Sequence, residues 1–176
     1  MRCDVLVVGA GPAGSMAARV AARAGFTTVM VEKSRLDREK PCGGGLTAKL
    51  VQDYEPPSDV CEREIPQAVL YSPSGRVAAV TFGRPVWTTM RGLFDKAMSR
   101  RALDAGAEIR EETKATAAIL RDGRVAGMVI KCRGEQQEVQ APITIMADGY
   151  PTMLVRYFSV YKRTPMSVAA CVQYHL

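Results

Sequence analysis

The sequence predicts an α/β fold that opens on a β-α-β unit, and three features of its first 33 residues predict it. The apolar run Val5-Leu6-Val7-Val8 reads as a strand, Gly9-Ala10-Gly11-Pro12-Ala13-Gly14 follows it directly, and a second apolar run, Val29-Met30-Val31, ends on Glu32. Between the runs, Ser15–Ala24 reads as a helix stopped by Gly25. Each part has a physical reason. Gly9 permits a tight turn, Gly11 lets backbone N–H groups approach a pyrophosphate, and Gly14 lets the helix pack close to the strand. The helix N-terminus then presents its partial positive charge to phosphate. Glu32 stands 23 positions after Gly9, where a carboxylate accepts hydrogen bonds from a ribose 2′-hydroxyl. A β-α-β unit that used its glycines for packing alone would leave that acid unexplained, so the unit is expected to bind a dinucleotide.

With 176 residues the chain can bury one core with a small subdomain. A hydrophobic content of 47% and a charged content of 24% are those of an ordinary globular protein. No stretch approaches the run of about 18 apolar residues that a membrane span needs. Arg2 and Asp4 lead straight into the first strand with no signal-peptide pattern, so a cytoplasmic location is expected. Cys3, Cys42, Cys61, Cys132 and Cys171 are scattered, with no CxxC pair, and His175 is the only histidine. That pattern argues against a metal site and for free thiols packed as small hydrophobes. The net charge of +6 is spread along the chain rather than gathered in a block, and no nucleic-acid motif accompanies it. A solvated surface with mild attraction to anions is the reading, and nucleic acid is not an expected partner.

Beyond the first unit, residues 34–49 form a Gly- and Lys-rich connection whose three consecutive glycines, 43–45, mark close passage past something. Residues 52–66 carry three prolines and read as loop or short helix. Ala68–Tyr71 and Arg76–Phe82 read as strands about a Ser72-Pro73-Ser74-Gly75 turn, giving a hairpin insertion over 65–90. Arg91–Ala105 has helical spacing with Gly106 as its stop. Three strand-like stretches follow: Glu108–Leu120, then Val125–Cys132 after an Asp122-Gly123 turn, then Glu138–Ala147 after a turn at Arg133–Gln136. The last runs into Asp148-Gly149, and Ser167–Leu176 reads as a further strand. A β-α-β start, a later helix, a β-meander and a return strand suggest an FAD-binding domain, in which the meander replaces one crossover helix.

Four stretches together resemble the geranylgeranyl reductase family, within the larger group of FAD-dependent hydroxylase-like flavoproteins. They are DVLVVGAGPAGSMAARVAARAG at 4–25, EKSRLDREKPCGGGL at 32–46, RGLFDKAMSRRALDAGAEI at 91–109 and MADGYPTMLVRY at 146–157. The first is shared by many flavoproteins, whereas KPCGGGL is far more specific. The resemblance implies a Rossmann-like FAD-binding domain of the glutathione-reductase/hydroxylase type over 1–160. It implies that Gly9, Gly11, Ala13 and Gly14 line the pyrophosphate turn, and that Glu32, with Lys33 beside it, holds the adenosine ribose. Cys42, Gly43 and Gly45 would approach the flavin, where a bare backbone N–H can stabilise the anionic reduced ring.

The same resemblance places Arg91 at FAD from the start of its helix, where a guanidinium can pair with phosphate bidentately. An N-terminal helix residue pointing to water is the other reading. Ala115 matches the position whose backbone meets the adenine. Asp148-Gly149 resembles a motif that braces the glycine turn from behind, with Thr152 keeping the hydroxyl of the family's usual serine. Cys42 is the candidate catalytic residue. Its thiol, with Lys40 nearby to favour thiolate, can give up a proton or tune the flavin; it can equally be a small residue that fits.

The family continues beyond this chain with a segment shaping a prenyl tunnel and a Gly-Asp motif at the ribityl region. The resemblance therefore implies a chain that stops as a substrate domain opens, at 161–176: a truncated product, or one half of a split enzyme with a complementing C-terminal half. In complete form the implied activity is reduction of C=C bonds in prenyl chains of isoprenoid lipids, such as archaeal-type ether lipids or chlorophyll precursors. Its implied partners are that lipid substrate, a reductant of the reduced-nicotinamide or ferredoxin kind, and peripheral contact with a membrane. A flavin monooxygenase or halogenase, and a flavin-binding remnant without turnover, are the alternatives.

Overall fold

The computed structural model describes residues 1–150 and Thr152. The strand expected at 167–176, the second domain expected from 161, Cys171 and His175 lie outside the described residues. In chain order the elements are β1 (Val5–Val8), α1 (Pro12–Arg23), β2 (Thr28–Val31), β3 (Gly45–Leu46), α2 (Ala48–Tyr54), β4 (Arg63–Tyr71), β5 (Val77–Thr88), α3 (Arg91–Asp104), β6 (Glu108–Arg110), β7 (Thr113–Arg121), β8 (Arg124–Cys132), β9 (Glu135–Gln140) and β10 (Ile143–Met146).

A parallel sheet of order β10-β1-β2-β6 forms the centre. Its strands alternate their side chains between two covered faces, which is why β1 and β2 are buried at every position. Val5, Val7 and Met30 face the helices, packing with Ala10 and Ala18 at α1, Ala102 of α3 and Ala107. Leu6, Val8, Val29 and Val31 face the other way, onto Ala115, Met128, Ile130 and Val139 of the antiparallel meander β7-β8-β9. The fold is thus α/β with a meander where a second crossover helix would stand, as the order of elements predicts.

Several boundaries differ from the sequence reading. Helix α1 starts at Pro12 rather than Ser15, with Gly11 as its N-cap. Proline suits the first helical position, because its missing N–H is one of the groups left without an intrahelical partner there. Ala13 and Gly14 are therefore helical residues. The stretch Glu108–Leu120 is two strands in two sheets. β6 ends at Arg110, the chain turns through Glu112 at φ 50°, and β7 enters the meander. Glu138–Ala147 likewise divides into β9 and β10 at Ala141-Pro142, where proline supplies no N–H to a ladder. The turn expected over 133–136 is tighter than that. Arg133 and Gly134 take φ of 49° and 94°, the two left-handed positions of a short hairpin turn, and β9 begins at Glu135.

The hairpin insertion is longer than its apolar runs indicate, spanning β4 and β5 with a register shift at Pro66. β5 also pairs with β3, setting Gly45 opposite Thr88 and Leu46 opposite Trp87. That short ladder ties the glycine-rich connection to the stem of the hairpin. Among the described residues, no helix is long and apolar enough to cross a membrane.

Candidate cofactor site

The site gathers at the C-terminal ends of β1 and β2, where ligands bind in open α/β sheets. Gly9 leaves β1 at φ +100°, and a Cβ there would lie 2.4 Å from the Ala147 carbonyl oxygen. A Cβ on Gly14 would lie only 1.8 Å from the Gly9 carbonyl oxygen. These two glycines are demanded by packing. Gly11 is different, since a Cβ there would meet nothing within 4 Å and its φ is −73°. No side chain caps the N-terminus of α1, and no acid stands in its first turn. Uncapped N–H groups behind a glycine with open space in front form a cradle that fits a pyrophosphate.

Two serines support this turn from below. Ser15 of α1 and Ser99 of α3 are fully buried, with their hydroxyls 3.0 Å apart, and each donates to the Ala10 carbonyl at 3.3 and 3.4 Å. Asp148 follows β10 with its α-carbon 3.1 Å from where a Gly9 Cβ would be, and it accepts a 2.8 Å bond from the Thr152 hydroxyl. The Asp-Gly segment therefore does lie against the glycine turn.

Glu32 is buried at the end of β2. Its Oε2 accepts from the Ala10 N–H at 2.9 Å and its Oε1 from the Ser34 N–H at 3.0 Å. The carboxylate thus fixes the glycine turn, and each oxygen keeps a second lone pair that can accept from a hydroxyl. Lys33 beside it is exposed. Ala115 is buried early in β7, just before a register shift against β8, and the N–H of nearby Thr113 donates to the Glu32 carbonyl at 2.8 Å. That bond ties the start of β7 to the end of β2.

The triple glycine divides its roles. Gly44 makes the close passage: it sits at φ +65°, a Cβ there would lie 2.2 Å from the Thr89 carbonyl oxygen, and its own carbonyl accepts the Thr89 N–H at 2.9 Å. Gly43 and Gly45 have open space around their α-carbons, the arrangement a planar ring system needs to approach backbone. Gly44→Ala is expected to displace the loop and weaken flavin binding more than Gly43→Ala, as titration of the two variants would read.

Exposed Cys42 sits in this loop with its sulfur accepting the Gly44 N–H at 3.4 Å. That bond, then a hydrogen bond from Arg91, hold its thiol below the ordinary range. The cation that acts on Cys42 is therefore Arg91 and not Lys40, whose amine lies toward Gly149. Burial pushes the Cys3 and Cys61 thiols up. At pH 7.5 Cys42 is expected to alkylate at least about tenfold faster than either, because thiolate is the reacting form. Peptide-resolved iodoacetamide labelling measures this, and equal rates would contradict it.

Arg91 does not point to water. Its Nε and one terminal nitrogen pair with both oxygens of Asp95, each at 2.9 Å, and Asp95 is 1% exposed. Arg38, from the connection after β2, reaches the same carboxylate at 3.3 Å and lies 4.0 Å from Glu32. Arg38 and Asp95 escaped the sequence reading. The i,i+4 spacing of Arg91 and Asp95 on one helix was the available signal.

This arrangement defines a class of protein: an uncapped helix N-terminus behind a glycine turn, with a buried acid ending the next strand, is that of a dinucleotide-binding domain. The family model described as FAD dependent oxidoreductase matches residues 4–150, and the chain belongs to that family, with FAD as its cofactor. It is 36% identical over 180 residues to digeranylgeranylglycerophospholipid reductase 2 of Methanopyrus kandleri, covering 100% of this chain and 45% of that protein. It is 30% identical to the digeranylgeranylglycerophospholipid reductase of Methanocaldococcus jannaschii, covering 98% and 45%. Among solved structures, a geranylgeranyl bacteriochlorophyll reductase-like protein from Thermoplasma acidophilum superposes with a TM-score of 0.79 at 32% identity, covering 85% of this chain and 40% of that one. The flavin-dependent brominase Bmp2 also reaches 0.79, at 25% identity, covering 89% and 40%. The chain thus spans about 45% of the length of the curated relatives it matches.

Proposed function

We propose that this chain is the FAD-binding portion of a geranylgeranyl-reductase-like oxidoreductase that, in complete form, reduces C=C bonds in prenyl chains of isoprenoid lipids. The observation that carries the reading is the KPCGGGL loop. It combines two bare glycines, a Gly44 locked on Thr89 and a Cys42 held between the Gly44 N–H and Arg91. Identity of 30–36% with proteins named for digeranylgeranylglycerophospholipid reduction supports it.

In this reading Gly9, Gly11, Ala13 and Gly14 bind the pyrophosphate at the α1 N-terminus, and Glu32 with Lys33 addresses the adenosine ribose. Backbone at Ala115 meets the adenine, Asp148 braces the turn, and Gly43 and Gly45 lie along the flavin. Arg91 keeps donors beyond those given to Asp95 and Cys42, because a guanidinium carries five N–H groups. Those donors face the cofactor. Cys42, with its depressed thiol, is a group that can hold or release a proton beside the flavin near neutral pH. Reduced FAD, when bound, supplies hydride to one alkene carbon while a proton completes the other. The lipid, a nicotinamide or ferredoxin-type reductant, peripheral membrane contact and a complementing C-terminal half belong to the complete protein.

A halogenase or monooxygenase reading draws on the equal superposition of the brominase. One assay separates the two. The chain is combined with the C-terminal half of a reductase relative, FAD, dithionite and a geranylgeranyl lipid, and products are read by mass spectrometry. Saturated lipid above the no-protein control is expected. Its absence, with halogenation or hydroxylation of aromatic acceptors under oxygen, would overturn the reading.

A further inference from the structure

Asp95 is not among the residues that the glycine turn or the flavin-side loop identify, yet it is the most buried acid near the site. It lies one turn into α3, below the surface that the cofactor would face. Three donors converge on it: two nitrogens of Arg91 at 2.9 Å and NH1 of Arg38 at 3.3 Å. Arg38 in turn stands 4.0 Å from Glu32, while Arg91 bonds Cys42. Two guanidinium groups and two carboxylates therefore make one charge-balanced chain, running from the adenosine end of the cradle to the flavin-side loop. The backbone of the connection after β2 crosses close over the start of α3. A Cβ on Gly92 would meet the carbonyl oxygens of Arg38 and Asp37 at 3.4 and 3.6 Å.

A surface ion pair contributes little and tolerates many geometries. This group differs, because a carboxylate excluded from water must be matched by donors in fixed directions, and bidentate pairing fixes a guanidinium plane. With Nε and one terminal nitrogen of Arg91 committed to Asp95, the guanidinium plane is fixed while it also bonds the Cys42 sulfur.

We propose that Asp95 is a positioning residue that clamps Arg91 against Cys42 and Arg38 beside Glu32, setting both ends of the FAD cradle from one buried carboxylate. The proposal rests on the FAD-binding reading for its effect on affinity, but its effect on Cys42 is independent of any cofactor. Asp95→Asn keeps the shape and removes the charge. Asp95→Glu keeps the charge and moves the carboxylate by one methylene, which breaks the two-point match.

The experiment measures peptide-resolved iodoacetamide labelling of Cys42 against pH in the 176-residue chain without flavin, and FAD affinity by fluorescence titration. Circular dichroism monitors folding. In Asp95→Glu, which keeps the acid's negative charge near Cys42 and changes only where its oxygens stand, the half-maximal labelling pH is expected to rise toward the ordinary thiol value of about 8.5. FAD affinity should fall tenfold to a hundredfold, the order expected from losing charged hydrogen bonds. Asp95→Asn should lose affinity to a similar degree but shift the labelling profile less, because it also removes a negative charge that pushes the Cys42 thiol up. Should Asp95→Asn fail to fold, Asp95→Glu decides alone. A folded Asp95→Glu variant with the wild-type labelling profile and wild-type FAD affinity would overturn the clamp. If wild-type chain binds no FAD, the cofactor reading fails, while the labelling profiles still decide the clamp.

Discussion

Gly14→Ala is expected to cost the protein both its fold and its cofactor, whereas Gly11→Ala is expected to cost only the cofactor. The methyl group at Gly14 would be placed 1.8 Å from the Gly9 carbonyl oxygen and 3.3 Å from the Ala147 side chain. Neither the carbonyl nor β10 can retreat without lifting α1 from β1. Overpacking of this kind costs typically 1–3 kcal/mol and more against backbone, so the thermal midpoint should fall by roughly 5–10 °C. At Gly11 a methyl group meets nothing within 4 Å, and φ of −73° is open to any residue. Stability should therefore change little, because alanine's loss as an N-cap, about 0.5–1 kcal/mol, is offset by about the same gain from a less flexible unfolded chain. The same methyl stands in front of the uncapped α1 N-terminus, where phosphate must come within hydrogen-bonding distance. FAD affinity should fall by tenfold or more. Thermal melts with and without FAD read both effects, and equal destabilisation by the two substitutions would contradict the division of roles.

The second large effect is expected at Glu32. Glu32→Ala removes the acceptor for the Ala10 and Ser34 N–H groups, bonded at 2.9 and 3.0 Å, together with the carboxylate proposed to accept from the ribose. Hydrogen bonds to a charged group contribute about 1.5–3 kcal/mol, so FAD affinity should drop tenfold to a hundredfold. Because one buried and one part-buried backbone donor lose their partner, the apo protein should also melt lower. Glu32→Gln sharpens the test. Its amide can accept at one oxygen but presents N–H groups to the other donor, so it should keep part of the stability and still lose affinity. FAD affinity unchanged in Glu32→Ala would remove Glu32 from the ribose.

The parts legible in the sequence were those encoded locally. The first strand, the glycine turn, the acid at its spacing and the helix after Met90 are each written within about two dozen residues, as period, cap or turn chemistry. The Asp122-Gly123 turn takes φ of 51° and 72°, the conformation this pair favours. Two features misled. The strand-like texture of 108–120 hides a change of sheet at Glu111-Glu112, because both sides are extended and only their partners differ. Lys40 is a sequence neighbour of Cys42, yet the cation that reaches the thiol comes from Arg91 in another element. Contacts across long separations leave no local pattern. Arg38 meets Asp95 from 57 positions away and Ser15 meets Ser99 from 84, and both were invisible before the fold was known.

The most direct measurement is a fluorescence titration of the 176-residue chain with FAD and, separately, with FMN. In the proposed reading the glycine turn, Glu32 and Ala115 would address the adenosine half of the cofactor, which FMN lacks. Saturable FAD binding is predicted, lost in Gly11→Ala and not displaced by a tenfold excess of FMN. FMN binding as tightly as FAD, or FAD affinity indifferent to Gly11→Ala, would contradict the assignment of this cradle.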